Sequence, residues 1–254
     1  MALQANEVKM DWRSFASEWQ VAALRRGFES DVLIEGHGLK SPCAIKGSAS
    51  LPCIYLSSGI HGDEPAGPQA LLGLLKEGFF SGAFHWLICP MLNPTGLEAG
   101  SRDNEQGLDL NRDYRLCQTR EVTSHIQWLS RQPIPDLFLS LHEDWESSGF
   151  YYYEINLGVE GPQPEQILEA ASAFFAPEPE SVIDGHRVDS PGWIYHSQDP
   201  DVPDGWPEAI YLAKRKCPLS LTFETPSSAP LAKRVACHQA VVREAVKRFQ
   251  AITG

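Results

Sequence analysis

The sequence predicts an α/β protein with a mixed, mostly parallel sheet flanked by helices. Two apolar runs, at 52–60 and 135–141, each lead directly into a histidine, and helical sequence separates successive strands. Continuous apolar runs are typical of strands covered on both faces, and strand-helix-strand order predicts parallel pairing through right-handed crossovers. No linker or low-complexity tract divides the 254 residues, so we expect a single domain over 1–254.

The composition favours a globular protein and argues against nucleic-acid binding or a membrane span. Hydrophobic residues make up 43% of the chain, and no apolar run approaches the roughly 18 residues of a membrane span. The formal net charge is −12, whereas nucleic-acid binding needs clustered lysine and arginine. The six cysteines include no C-x-x-C pair, and residues 1–9 do not resemble a secretory signal. We therefore expect a reduced cytoplasmic protein, whose oligomeric state the sequence leaves open.

The first part of the chain alternates helices and strands. Residues 11–28 predict an amphipathic helix capped by Asp11, with an inward stripe of Trp12, Phe15, Trp19, Ala22 and Ala23. Gly36 and Gly38 mark the turn of a short strand or hairpin over 31–46. The pattern then predicts a strand over 52–60, a helix from 65 to about 78 and a strand over 84–92.

A long polar segment, 101–115, follows the Asn93-Pro-Thr-Gly96 turn. Loops of this length in a compact domain are usually functional or disordered. We expect Leu108 and Leu110 to anchor the loop and to present Arg102, Asn111 and Arg112. Because guanidinium groups bind carboxylates through two parallel hydrogen bonds, this loop is suited to a substrate that carries a carboxylate.

The second part continues the alternation. Residues 119–132 predict a helix with His125 on its surface, and 135–144, 150–156 and 219–228 predict strands. Residues 164–175 and 231–252 predict helices, whereas 176–218 reads as loops and short strands around a pocket. In the strand over 219–228, alternation places Glu224 on the face opposite Phe223. A carboxylate at that strand end can face a cleft.

His61 and Glu64 are the first candidate metal ligands. The apolar run 52–60 delivers His61 to a strand end, and Glu64 follows three residues later, directly before helical sequence. Ligands of open α/β sheets bind at the carboxyl ends of the strands, and a catalytic zinc takes three protein ligands and leaves one position open. The third candidate is His142, because it ends a second apolar strand and carboxylates follow it.

Five motifs, in order along residues 54–226, resemble the zinc carboxypeptidase superfamily, which includes aspartoacylase and succinylglutamate desuccinylase. They are His61-Gly-Asp-Glu64, Asn93-Pro-Thr-Gly96, Arg102 with Asp109-Leu-Asn-Arg-Asp-Tyr114, Leu141-His142-Glu143 and Thr222-Phe-Glu224-Thr. The resemblance implies an α/β fold of mostly parallel, mixed strands flanked by helices. It also implies one zinc ion per chain, held by His61, Glu64 and His142.

The resemblance further implies roles for residues around the metal. Glu224 matches the general base, and Arg102 matches the arginine that stabilises the developing oxyanion. Asn111 and Arg112 match the pair that binds the substrate's terminal carboxylate. The tyrosine that covers the substrate matches either Tyr195 or Tyr211, and we take Tyr195 as the candidate. Three carboxylates near the ligands, those of Asp63, Glu143 and Asp144, are expected to orient the histidines rather than to bind a second ion.

Three functions are compatible with these residues. A zinc metallocarboxypeptidase that acts on peptide C-termini is favoured, because residues 225–254 read as one helix, whereas deacylases of this superfamily generally carry a further β-rich domain after the catalytic glutamate. The alternative is a zinc amidohydrolase that deacylates N-acyl amino acids. A zinc-binding or peptide-binding protein without turnover is the third hypothesis, and the presence of Glu224 and Arg102 argues against it. The segment predicted around the pocket contains three acidic residues, Asp201, Asp204 and Glu208. Their charge is compatible with a preference for a basic C-terminal residue in the substrate.

Overall fold

The computed structural model describes residues 9–36 and 39–254, and its main feature is an eight-stranded mixed sheet. Gly38, predicted in the first turn, lies outside the described residues. The strands β1 to β10 are Glu29–Gly36, Leu39–Lys46, Cys53–Ser58, His85–Cys89, Leu137–Asp144, Tyr151–Asn156, Val182–Ile183, His186–Arg187, Trp193–Tyr195 and Leu219–Pro226. The helices α1 to α7 are Trp12–Arg25, Ala66–Glu77, Pro94–Ala99, Arg120–Ser130, Pro164–Ser172, Glu208–Lys214 and Leu231–Thr253.

The strand order is β1-β2-β4-β3-β5-β10-β6-β9, and β7 pairs with β8 in a separate hairpin. The four central strands β4, β3, β5 and β10 run parallel, whereas β1, β2 and β6 pair antiparallel with neighbours. The carboxyl ends of β3, β5 and β10 therefore lie side by side. In the register of β10 and β5, Glu224 lies opposite His142. The predicted fold class is confirmed.

Two apolar layers cover the two faces of this sheet, which explains the continuous apolar runs of the central strands. In β3, Ile54 and Leu56 pack with the helices α1, α2 and α7, whereas Tyr55 packs on the other face with α4 and α6. Five of the six cysteines are buried as free thiols. Among the described residues, no helix is both long enough and apolar enough to cross a membrane.

Most predicted elements are confirmed, and their bounds shift by a few residues. In α1, the five residues of the predicted stripe are all buried, and Asp11 caps the helix by accepting from Arg13 N and Ser14 N. The short helix α6, within 176–218, was not predicted. Leu108 is exposed, so Leu110 alone of the two leucines is buried as an anchor. His125 is buried, with 1% of its surface exposed, so the prediction of a surface position is wrong.

Candidate metal centre and catalytic cleft

A tight turn between β3 and α2 places His61 and Glu64. Gly59 has a φ of 62°, in the left-handed region that favours glycine, and it lets the chain turn after β3. At Gly62 a Cβ would lie 1.9 Å from the carbonyl carbon of Gly96, so a side chain there would collide with the neighbouring backbone. Asn93 joins this turn to the start of α3, because its Nδ2 donates to Ile60 O at 3.2 Å and its Oδ1 accepts from Gly96 N at 2.9 Å. The His61-Gly-Asp-Glu64 and Asn93-Pro-Thr-Gly96 motifs are therefore packed directly against each other through their backbones.

The carboxylate of Glu64 contacts both candidate histidines. Its Oε1 lies 2.6 Å from Nδ1 of His61, and its Oε2 lies 3.0 Å from Nδ1 of His142. The rings of His61 and His142 pack edge-on, with centroids 5.0 Å apart and an angle of 61° between their planes. All three side chains are buried, and their ligand atoms lie within 4.8 Å of one another. The carboxylate of Glu64 therefore lies between the two histidines, with one oxygen towards each Nδ1 atom.

These three residues fit a divalent metal ion. Two imidazoles and one carboxylate form a ligand set that is common in catalytic zinc sites. Among the described residues, Oε2 of Glu64 is buried and accepts no well-aligned hydrogen bond, although Nδ1 of His142 lies 3.0 Å away. A buried carboxylate oxygen without a hydrogen-bond donor is unfavourable, and a bound cation removes that cost. The donor set and this unsatisfied oxygen agree with the zinc ligands implied by the resemblance.

Burial and mutual charge decide the protonation of this cluster. Burial disfavours a charged His61, but the negative charges of Glu64 and Asp109 outweigh it and raise the pKa of His61 to about 9. Burial would raise the pKa of Glu64, yet His61 and His142 lower it. Burial is the largest influence on His142 and lowers its pKa. In the metal-free cluster the proton therefore resides on His61, and it must leave before that nitrogen binds a metal.

Arg102 lies beside the cluster and is held there by Asp109. The Nε and Nη2 atoms of Arg102 lie 3.2 Å and 3.1 Å from Oδ2 of Asp109. Its Nη1 lies 3.3 Å from Nδ1 of His61 and 3.8 Å from Oε1 of Glu64. The other oxygen of Asp109 lies 3.3 Å from Nε2 of His61. Asp109 therefore contacts both the candidate metal ligand His61 and Arg102. This role was not predicted, although the position of Asp109 in the same motif as Asn111 indicated that it lies near the site.

Asn111 and Arg112 follow in a short 3-10 helix, Leu110–Arg112, which Asp109 caps by accepting from Asn111 N at 2.8 Å. Oδ1 of Asn111 accepts from the backbone N of Glu208 at 3.0 Å, which fixes the amide against the start of α6. The side chain of Arg112 is exposed, and its Nη1 donates to Asn111 O at 2.9 Å. Both residues line the same cleft as His61, Glu64 and Arg102.

Glu224 faces this cleft from β10, together with Thr222 on the same face of the strand. The alternation predicted for this strand is observed, because Leu219, Leu221 and Phe223 point into the apolar layer. Burial first, and then the negative charges of Glu64 and Asp144, raise the pKa of Glu224 well above its usual range. A cation bound at the histidine cluster would oppose this shift, because a nearby positive charge favours the ionised carboxylate.

The cleft has a volume of about 520 Å³ and contains every predicted catalytic, metal-binding and substrate-binding residue except Tyr195. The hydroxyl of Tyr195 donates to Asn156 O at 2.9 Å, and half of its surface is exposed away from the cleft. Tyr211 packs on Tyr114 and does not line the cleft either. The tyrosines that do line it are Tyr151 and Tyr153, whose hydroxyls donate to Asp144 and Asp184. The structure does not bring Tyr195 to the other site residues.

The carboxylates expected to orient the histidines have other partners. Glu143 forms a buried ion pair with Arg234 of α7 and accepts from Ala66 N at 2.7 Å. Asp144 accepts from Glu146 N and from the hydroxyl of Tyr151, and Asp63 is exposed. Because Glu143 joins α7 to the start of α2, it stabilises the packing behind the metal ligands, and the contact with a histidine ring is made by Asp109.

A buried hydrogen-bond chain lies behind the cleft wall. Glu208 accepts from the hydroxyls of Tyr55 and Ser57, each at 2.7 Å. The hydroxyl of Tyr55 also lies 2.7 Å from Nε2 of His125, whose Nδ1 lies 2.7 Å from the hydroxyl of Tyr114. Burial lowers the pKa of His125 to about 3 and raises that of Glu208 to about 7. Both oxygens of Glu208 thus accept hydrogen bonds from side chains of the buried chain.

Comparison with known proteins decides the family. The sequence model of the succinylglutamate desuccinylase/aspartoacylase catalytic domain matches residues 50–179, just over half of the chain. The chain belongs to this family. The match includes His61, Glu64, Arg102 and His142, and it ends before Glu224. It confirms the superfamily that the motifs resemble.

Other relatives of this desuccinylase/aspartoacylase family member carry the names of peptidases. Carboxypeptidase 2 of Trichophyton rubrum is 28% identical over 53% of the chain, and that match spans 24% of the relative's own length. The matched part of the chain thus spans about a quarter of the length of the curated relatives. A candidate metallopeptidase from Shewanella denitrificans OS217 has a similar fold, with a TM-score of 0.81 and 23% identity over 96% of this chain and 91% of that one.

A metallo-carboxypeptidase from Burkholderia cenocepacia shares the fold with a TM-score of 0.70 and 16% identity, over 96% of this chain and 70% of that one. At these identities the likeness concerns the fold alone. It places the mixed sheet of this desuccinylase/aspartoacylase family member among carboxypeptidase folds.

Proposed function

We propose that this protein is a zinc-dependent metallocarboxypeptidase that hydrolyses the C-terminal peptide bond of its substrate. The observation that carries the proposal is the register of β5 and β10, which sets Glu224 opposite the candidate ligand His142 in one cleft. A general base and a metal position thus face the same space. The same cleft holds Arg102, Asn111 and Arg112, which suit a substrate with a free carboxylate.

The chemistry divides between the metal and the chain. One zinc ion held by His61, Glu64 and His142 would supply a water of pKa near 7 and polarise the substrate carbonyl. Glu224 accepts the proton of the attacking water and returns it to the departing amine. The guanidinium of Arg102 donates to the oxygen that becomes anionic, and Asp109 holds that guanidinium in place before the reaction.

Asn111 and Arg112 restrict the reaction to the end of a chain. Arg112 is exposed and forms no ion pair among the described residues, so its guanidinium is available to a carboxylate. The amide of Asn111 is fixed by Glu208 N through Oδ1, which leaves its Nδ2 as the available donor. Binding the terminal carboxylate would position the neighbouring amide bond beside the cluster of His61, Glu64 and His142, and such positioning raises the rate by lowering the entropic cost of reaching the transition state.

Two features favour a peptide over a small acyl amino acid. The cleft volume of about 520 Å³ falls in the range of sites for ligands larger than a single amino acid. Trp145 lines the cleft with 75% of its surface exposed, and it offers an apolar surface to residues that precede the scissile bond. The carboxypeptidase names of the curated relatives agree with this choice.

The second candidate is an amidohydrolase that deacylates N-acyl amino acids, and the family match favours it. It uses the same metal, base and carboxylate-binding residues, so only the substrate distinguishes the two. A zinc-binding or peptide-binding protein without turnover is the least favoured function, because it has no use for Glu224 beside the metal. The cytoplasmic location and the absence of nucleic-acid partners stay predictions.

Substrate assays on the zinc-loaded protein test the proposal. Peptides with free C-termini, the same peptides amidated at the C-terminus, and N-acetyl and N-succinyl amino acids would be compared, with Glu224→Gln as the catalytic control. We expect release of the last residue from free peptides only, and loss of at least a hundredfold in rate in the control. Turnover of N-acyl amino acids alone supports the second candidate. Zinc binding without turnover of either class would refute both enzymes, and unchanged hydrolysis by Glu224→Gln would refute the mechanism.

A further inference from the structure

A second group of ligand-type side chains lines the cleft, outside the His61, Glu64 and His142 cluster. His186 comes from the β7–β8 hairpin, His196 follows β9, and Asp201 lies in the loop after it. We call these three residues the second cluster. Their ligand atoms lie within 4.8 Å of one another, as in the first cluster. The mechanism proposed above uses none of them.

Both imidazoles are directed at one carboxylate oxygen. Nε2 of His186 lies 3.2 Å from Oδ2 of Asp201, and Nε2 of His196 lies 3.4 Å from the same oxygen. The two rings have centroids 4.6 Å apart. Two nitrogens and one oxygen thus converge on a common point from three separate parts of the chain.

The hydrogen bond at Nδ1 of His196 determines whether its Nε2 carries a proton or a lone pair. Nδ1 of His196 lies 2.5 Å from the carbonyl oxygen of Ser197, to which it donates. In the neutral ring the proton is therefore on Nδ1, and Nε2 presents a lone pair to the carboxylate of Asp201. Two lone pairs facing each other repel unless a proton or a cation lies between them. Histidines that bind a metal almost always donate the other ring N–H to a carboxylate or a backbone carbonyl, as His196 does to Ser197 O.

The second cluster is also held in place by its surroundings. Tyr153 packs edge-on against both rings, with centroids 5.8 Å from His186 and 6.2 Å from His196. The backbone N of His196 donates to Glu154 O at 2.8 Å, which fixes the residue to β6. Only 12% of the His196 side chain and 24% of the His186 side chain are exposed. Asp201 is the exposed member, at 63%, and leaves an open side for water or an ion to enter.

We propose that His186, His196 and Asp201 bind a divalent first-row transition metal, with zinc as the best match, at a site separate from the first cluster. Two imidazoles and one carboxylate with an open position suit zinc, whereas calcium and magnesium prefer oxygen ligands alone. The bound ion joins the β7–β8 hairpin to the loop at Asp201, and both of these segments line the cleft. This inference does not depend on the proposed hydrolysis.

Metal counting on variants tests the second site. The metal-free full chain would be titrated with Zn²⁺ by calorimetry at pH 7.5, and bound metal would be counted by mass spectrometry after gel filtration. We expect two ions in the wild type, one in His61→Ala/His142→Ala and one in His186→Ala/His196→Ala. Asp201→Asn should weaken the second site at least tenfold, whereas Asp204→Asn, in the same loop but outside the cleft lining, should not.

Two further readouts separate this site from the first and from a folding defect. Co²⁺ bound to His61→Ala/His142→Ala should give the visible absorption of a low-coordinate nitrogen and oxygen site, and that band should vanish on adding His186→Ala/His196→Ala. Circular dichroism of the metal-free variants should match the wild type, because no residue of the second cluster is fully buried. Absence of metal from His61→Ala/His142→Ala, or binding there only at millimolar Zn²⁺, would overturn the inference. A wild-type protein that binds two ions but hydrolyses neither substrate class would count against the proposed function only.

Discussion

Oδ1 of Asp109 lies 3.3 Å from Nε2 of His61, on the opposite side of the ring from the Nδ1 that contacts Glu64. The imidazole is thus held between two carboxylates: Glu64, which belongs to the proposed metal cluster, and Asp109, which orients the ring. Asp109 also holds Arg102 through its second oxygen. One side chain therefore couples the geometry of a metal ligand to that of the group proposed to stabilise the oxyanion.

Asp109→Asn should reduce zinc affinity about 10- to 100-fold, as is usual when the partner of a ligating histidine is replaced. The amide loses the negative charge that favours one ring orientation of His61 and also loosens Arg102. Competition with a chromophoric chelator would measure the affinity. Glu105→Gln, an exposed change in the same segment, is the matched control and should leave it unchanged. Equal affinities for Asp109→Asn and the wild type would contradict this role.

Gly62→Ala should disrupt the metal centre without touching a ligand. A Cβ at residue 62 would lie 1.9 Å from the backbone of Gly96, so either the turn after β3 or the start of α3 has to move. We expect a loss of about 1–3 kcal/mol in the free energy of unfolding, as is typical for overpacking, together with weaker zinc binding. Urea denaturation and the chelator assay would measure the two effects.

Gly161→Ala is the control for that change. Its Cβ would lie 3.2 Å from the end of the Leu219 side chain, which can adjust, and at an ordinary contact distance of 3.6 Å from Nδ2 of Asn156. The control should retain zinc affinity and most of its stability. A Gly62→Ala protein that binds zinc as tightly as the control would show that the close approach of the two turns is not needed.

Zinc affinity should rise with pH. Glu64 and Asp109 raise the pKa of His61 to about 9, so at pH 7 the metal-free protein carries a proton on this ligand. Zinc needs the neutral ring and therefore displaces about one proton below that pKa. We expect the affinity to increase about tenfold per pH unit between pH 6.5 and 8.5. Calorimetry in buffers of different ionisation enthalpy would count the released proton, and a constant affinity over this range would contradict the assignment.

Glu208→Gln should make stability depend more strongly on pH. In the folded chain burial raises the pKa of Glu208 from 4.5 to about 7 and lowers that of His125 from 6.5 to about 3. Between pH 4.5 and 6.5 the unfolded chain has lost the Glu208 proton and gained one on His125, while the folded chain has the reverse. The two states bind equal numbers of protons at this pair, so the pair contributes no slope.

In Glu208→Gln only His125 remains, and the unfolded chain then binds one more proton than the folded chain. Stability should therefore rise with pH by about 1.4 kcal/mol per unit more than in the wild type over that window. Urea denaturation of the metal-free proteins at pH 5 and pH 6 would measure the difference. Glu105→Gln should behave like the wild type, and parallel pH profiles for all three proteins would show that the two groups do not compensate.

The sequence alone determined where the central strands end and which candidate site residues follow them. Continuous apolar runs at 52–60 and 135–141 identified buried parallel strands, and the residues that follow such strands meet at one sheet edge. His61, Glu64 and His142 could therefore be placed together, and the alternation in β10 directed Glu224 towards them. These features are local, because each depends on a period of two residues or on a run of one kind, which a single sequence records directly.

Contacts between distant segments were decided only by the tertiary structure. His125 and Arg234 carry the polar character of surface residues, yet packing buries both, because each finds a partner far away in the sequence: Tyr55 for His125 and Glu143 for Arg234. The position of Tyr195 outside the cleft and the meeting of His186 with Asp201 have the same origin. They depend on how irregular loops close over the sheet, and such loops have no periodic pattern from which a partner could be predicted.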